Sequence, residues 1–167
     1  MFPTYIINNS LYHKGSVLGL EELTIPGMKI IDYDRTADNV SQFLTDGRYY
    51  PRLHRMCQQA SPDHLQSPSL SGVPGGGSAG NSNEEKLVKY LYAKSIVDGV
   101  SQTYDKGSFE LKVVLDNVFG KISAVEAMMK LHFENTRYYQ VKKRALNEFA
   151  DGLEMKANCP DLHVYVK

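Results

Sequence analysis

KISAVEAMMKLHFENTRYYQVKKRALNEFADGL, residues Lys121 to Leu153, divides into two helical stretches about a short corner. Ser123 to His132 predicts the first helix, Phe133 to Asn135 the corner and Thr136 to Leu153 the second helix. Along the second, Tyr138, Val141, Ala145 and Phe149 recur at three- and four-residue steps, which places them on one apolar stripe. The opposite face carries Arg137, Gln140, Lys143 and Arg144. Between Asn135 and Asn147 there are four basic residues and no acid, so this helix has a positive face. Such a face is often solvated surface and nothing more. It gains meaning from its place in a helix-turn-helix, whose second helix enters the DNA major groove with base-reading side chains near its N-terminus. Arginine and glutamine suit that position, because their forked or paired polar groups match guanine or adenine edges. On this reading Arg137 and Gln140 meet bases, while Thr136, Tyr139, Lys143 and Arg144 hold phosphates. Tyr138 belongs to the apolar stripe and is expected in the core.

The rest of the chain limits what else the protein can be. Its 167 residues carry 19 basic and 19 acidic side chains and so no net charge, which excludes coating of nucleic acid by bulk charge. Local positive charge is all that a site-specific reader needs. Cys57 and Cys159 lie far apart without a CxxC pair and read as ordinary intracellular thiols. No apolar run reaches the ~18 residues of a membrane span, and the N-terminus lacks a charged start followed by an apolar core. A cytoplasmic protein with no membrane contact is expected.

Outward from the helical pair, Ser108 is placed to cap a helix ending near Phe119, with Phe109, Val113, Val114 and Leu115 apolar and Gly120 as the stop. The run Leu111 to Leu115 also fits a strand. Before it, Asn83 can cap a helix beginning at Glu84-Glu85, with Val88, Leu91, Tyr92, Ile96 and Val100 as its inner face and Tyr104 to Gly107 as a turn. Residues 60–83, ASPDHLQSPSLSGVPGGGSAGNSN, bury too little apolar surface to offset their chain entropy and read as a flexible linker. Upstream, Asp34 is placed to cap a helix through Leu44, with Ala37, Val40, Phe43 and Leu44 apolar and Gly47 as its end. Arg48 to Arg55 interleaves basic and aromatic residues. It can follow phosphates, but a helix start at Pro51 with its arginines in water is the preferred reading. Residues 1–28 are broken by Pro3, Gly15, Gly19, Pro26 and Gly27 into short strands or loops. The alternating run Leu162 to Val166 suits an edge strand or a partner's sheet.

The expected fold is mainly α. A C-terminal four-helix domain with a helix-turn-helix (residues 84–156) follows a small mixed N-terminal domain (residues 1–59) and the linker, and a short tail (residues 157–167) closes the chain.

Three stretches together make the chain resemble the ArpU family, phage-encoded transcriptional regulators named for an autolysin regulatory protein of Gram-positive cocci. The first runs from Ile31 to Val40, IDYDRTADNV, with Phe43-Leu44 after it. The second is Ser67-Pro68-Ser69-Leu70-Ser71 followed by Gly80 to Lys86, GNSNEEK, and is the most specific. The third is Tyr138 to Ala150, YYQVKKRALNEFA. The resemblance covers Lys29 to Leu153. It implies a helix-turn-helix similar to region 4 of bacterial sigma factors, a recognition helix at Thr136 to Ala150, and activation of late phage genes for packaging or lysis. It also implies double-stranded DNA and bacterial RNA polymerase as partners. At the corner the chain departs from the family, with His132 in place of a glycine and Glu134 in place of a serine cap. The corner is therefore expected to be built differently, with Asn135 taking over the cap.

A second reading is a protein-interaction module without DNA activity, such as an assembly factor or antirepressor. The neutral charge, the unassigned N-terminal segment and the alternating tail favour it. An enzyme fits worst. His13, His54, His64, His132 and His163 show no metal-ligand spacing. Gly75-Gly76-Gly77 lacks the lysine and helix start of a phosphate loop, and capping accounts for Asp32 and Asp34. No cofactor is expected. Readers of this type bind as homodimers on paired half-sites or singly beside polymerase.

Overall fold

The structure is a computed structural model that describes residues 29–60 and 80–166; in residues 80–83 it describes the backbone alone. Among the described residues the order is α1 (Tyr33–Thr45), α2 (Tyr50–Gln59), α3 (Gly80–Lys106), α4 (Phe109–Val118), α5 (Ala124–Leu131) and α6 (Asn135–Glu154). The fold is mainly α, and its last four helices end in the expected helix-turn-helix pair. The readings for residues 1–28, and for 61–79 within the linker, lie outside the described residues.

Capping chemistry sets most boundaries. Asp32, rather than Asp34, caps α1, its Oδ1 accepting from the Arg35 backbone N–H at 3.1 Å. Asp34 falls inside the first turn, where its charge suits the positive end of the helix dipole. Ser108 caps α4 as expected, its hydroxyl accepting from the Leu111 N–H at 3.1 Å. That cap helps settle Leu111 to Leu115 as helix rather than strand. In α2, Pro51 sits in the first turn, where its missing N–H costs nothing.

α3 is longer than its sequence suggests at both ends, starting at Gly80 rather than Glu84 and absorbing most of the expected Tyr104–Gly107 turn. Packing carries it onward. Thr103 is buried with its hydroxyl donating to the Gly99 carbonyl at 2.8 Å, and the methyl side of Thr103 meets α6 at Gly152.

The helices on both sides of residues 61–79 share one core. Ala37, Val40, Phe43 and Leu44 of α1 pack with Val113 and Val114 of α4 and with Val141, Phe149 and Leu153 of α6. The expected division into a unit of residues 1–59 and another of 84–156 is therefore not how the described helices pack. α1 has a one-sided apolar stripe and no partner of its own large enough to cover it, so α6 and α4 do so. The tail adds a second tie. Ile31 and Tyr165 form an antiparallel bridge, the Asp32 N–H donates to the Val164 carbonyl at 2.7 Å, and the Val166 N–H donates to the Ile30 carbonyl at 2.9 Å. The alternating tail thus pairs within its own chain.

Candidate nucleic-acid interface

The approach to α6 is built by local chemistry. Gly120, at φ 71°, turns the chain out of α4. Ser123 and Glu126 then form a full capping box at the start of α5, with the Glu126 carboxylate accepting from the Ser123 N–H at 2.6 Å. That bond, with the Ser123 hydroxyl, holds the Glu126 carboxyl below its usual pKa. At the other end His132 takes the left-handed conformation, φ 54° and ψ 40°, which costs a non-glycine residue roughly 1–2 kcal/mol. The next N–H, of Phe133, closes the corner by donating to the Met128 carbonyl at 3.1 Å. His132 thus holds a left-handed corner of the kind that glycine adopts without strain. Glu134 occupies the cap position of α6 without a side-chain cap bond, and Asn135 is the first helical residue rather than the cap.

Tyr138 is fully buried, as expected, and its hydroxyl donates to Asn117 Oδ1 of α4 at 3.0 Å. The buried ring and this bond fix the rotation of α6 about its axis. Thr136, Arg137, Tyr139 and Gln140 are consequently all exposed on the first two turns. Arg137 lies over the Phe133 ring at 5.8 Å, and Tyr139 packs edge-on against Tyr138 with ring centres 5.4 Å apart. None of these four enters an ion pair among the described residues.

The other two expected contacts are differently placed. Lys143 Nζ lies 2.8 Å from Asp34 Oδ1 of α1, whose hydrogen bond and charge raise the lysine pKa. Arg144 pairs with Glu110 of α4. Both cations remain exposed, but each is already neutralised by an acid of its own chain. One turn further on, Asn147 is buried and donates to the Tyr33 carbonyl of α1 at 3.0 Å and to the Lys143 carbonyl at 2.9 Å. Periodicity gives no sign of these partners, which lie 109, 34 and 114 residues away in sequence. Exposed Lys130 of α5 and half-buried Lys142 of α6 add positive charge to the helical pair and were not among the expected contacts.

The basic stretch Arg48 to Arg55 runs into α2, and two of its three arginines find partners within their own chain. Arg48 pairs with Asp46 at 2.6 Å, and its hydrogen bonds hold the Asp46 carboxyl at a pKa of about 2. Arg55 donates to the Gly47 carbonyl at 3.2 Å, and Tyr50 stacks against Phe43 and Phe119. What this region does build is a groove of about 530 Å³ between α1, α2, α3 and the tail. Phe43, Leu53, Tyr92 and Leu162 supply its apolar wall, and Arg52 and Lys89 supply cations. The outer side of α3 leaves Val88 and Leu91 more than half exposed, although helical spacing had placed them on its inner face. Ile96 and Val100, further along, are buried as expected. Likewise Phe109, expected on the apolar face of α4, is 65% exposed.

No helix among the described residues is long and apolar enough to cross a membrane. Against family models, curated proteins and solved structures, the chain has no match.

Proposed function

We propose that the protein is a sequence-specific DNA-binding transcriptional regulator of the ArpU type, cytoplasmic in a bacterial host and acting on late phage genes with host RNA polymerase. One observation carries the reading: Thr136, Arg137, Tyr139 and Gln140 stand together, exposed and without ion-pair partners, on the first two turns of a helix that follows a tight left-handed corner. That is where a helix-turn-helix presents its base-reading side chains. Arg137 and Gln140 read base edges; Thr136 and Tyr139, with Lys130 and Lys142 beside them, hold the backbone. Lys143 and Arg144 contribute phosphate contacts only by exchanging Asp34 and Glu110 for DNA.

The test is selection of bound duplexes from a random pool, repeated with Arg137→Ala and Gln140→Ala. Enrichment of one motif, relaxed at a single position by each variant, supports a reading helix. Failure to enrich any motif at low salt, with and without RNA polymerase, sinks it. The second reading, a protein-interaction module, is favoured by the groove and by the exposed Val88 and Leu91 of α3. It predicts that both variants leave function intact.

A further inference from the structure

The end of the chain folds back on α6 and buries a histidine among carboxylates. The His163 side chain is 1% exposed. Its Nε2 lies 3.0 Å from Asp151 Oδ1; its Nδ1 lies 2.7 Å from Asp161 Oδ1 and 3.6 Å from Glu154 Oε2. The second oxygen of Asp161 accepts from the Tyr165 hydroxyl at 2.7 Å. One donor atom each from Glu154, Asp161 and His163 lie within 4.8 Å of one another. Asp151 and Glu154 come from the last turns of α6, and the other two from the tail.

Charge and geometry agree on what this cage accepts. Three carboxylates give −3, and a protonated imidazole offsets only one of these charges. Among the described residues none of the three acids is ion-paired with a lysine or arginine. The acids around the ring therefore favour a positive charge beside Nδ1. When Nε2–H is donated to Asp151, the Nδ1 lone pair points at Glu154 and Asp161, an arrangement in which an outer carboxylate orients a metal-binding imidazole. One imidazole and two carboxylates suit zinc, whose bonds to such donors are about 2.0–2.2 Å, with ligand atoms therefore roughly 3.3–3.5 Å apart. Glu154, at 3.6 Å from Nδ1, stands close to that distance, and Asp161, at 2.7 Å, needs to open by about 0.6–0.8 Å. Both acids are partly exposed, so water can complete the shell.

We propose that His163, Glu154 and Asp161 form a structural site for a divalent zinc-like cation, with Asp151 as the outer carboxylate. The ion ties the tail to the end of α6. The tail in turn holds α1, because the Val164 N–H donates to the Thr36 hydroxyl at 2.9 Å and the Asn39 amide donates to the Leu162 carbonyl at 2.8 Å. Metal occupancy thus secures the helix that supplies Asp34 to Lys143. This site is independent of the DNA-binding reading.

The full chain, stripped with chelator, is titrated with zinc chloride by calorimetry and followed by thermal unfolding. One ion per chain is expected, with Tm rising by about 5–10 °C at zinc one hundred times Kd. Glu154→Gln lowers affinity at least tenfold, and Asp151→Asn lowers it about 10–100-fold. Cobalt bound to the wild-type chain reports the ligands without any substitution: nitrogen and oxygen donors give d–d bands with no thiolate charge-transfer band. Absence of binding, binding unchanged in Glu154→Gln, or a thiolate band from Cys57 or Cys159 overturns the proposal and leaves a proton alone holding the clasp.

Discussion

The two halves of α6 each carry two basic side chains in the sequence and lead different lives in the fold. From Asn135 to Lys142 the helix touches the core mainly through Tyr138 and Val141, and its polar side chains stand in solvent. From Lys143 to Glu154 it is held by four other parts of the chain: α1 through Asp34 and Tyr33, α3 through Thr103, α4 through Glu110, and the tail through His163. A basic helical face is therefore not one surface. Its first half is available to a partner, while its second half is occupied by its own fold.

Substitutions can test that contrast. The largest effect is expected in the clasped half, where Phe149→Ala removes a fully buried ring and costs about 3–5 kcal/mol in chemical denaturation. Tyr139→Ala in the free half stays within about 0.5 kcal/mol. Comparable losses at both positions would end the distinction. Next, Gly152→Ala places a methyl group 2.8 Å from the Thr103 Cγ2 of α3 and destabilises by about 1–3 kcal/mol, read from the same denaturation curves. If α6 reads bases as proposed, Arg137→Ala costs a similar amount, about 1–3 kcal/mol, but in DNA binding at one base position and not in folding.

Smaller effects sharpen the contrast from the other side. Asp34→Asn with Glu110→Gln removes two exposed pairs, each worth under about 1 kcal/mol of stability. If those acids compete with phosphate, the double variant binds duplex more tightly, and its salt dependence steepens by up to ~0.9 per cation released. An unchanged slope means that Lys143 and Arg144 never reach DNA. The smallest effect concerns the capping box that starts α5. The Glu126 pKa is depressed in the folded chain, so its stabilisation is complete above the usual glutamate range and is lost as pH falls through the folded value. A Tm profile against pH flattens in that acidic window in Glu126→Gln.

Local chemistry was legible before folding. Ser108 caps the helix expected of it, Ser123 opens the next within one residue of its expected start, Gly120 ends α4, and Tyr138, Val141, Ala145 and Phe149 all face the core. These features depend on neighbours three or four residues away, which is the range over which periodicity and capping carry information. The same rule failed where a longer-range partner decided the outcome. Asp34 had the chemistry of a cap, but Asp32 is the one placed to accept from the Arg35 N–H, and Asp34 instead meets Lys143. Val88 and Leu91 share their spacing with Ile96 and Val100, yet no other helix among the described residues covers them.

The sequence alone determined a mainly helical chain with a basic, helix-turn-helix-like pair near its end, because helix spacing, caps and breakers are local signals. Only tertiary structure decided which basic residues are free, that α1 and the tail close over α6, and that Asp151, Glu154 and Asp161 gather around the His163 imidazole. Those outcomes depend on which apolar stripe finds which partner across the chain, and burial then brings together charges that no spacing relates.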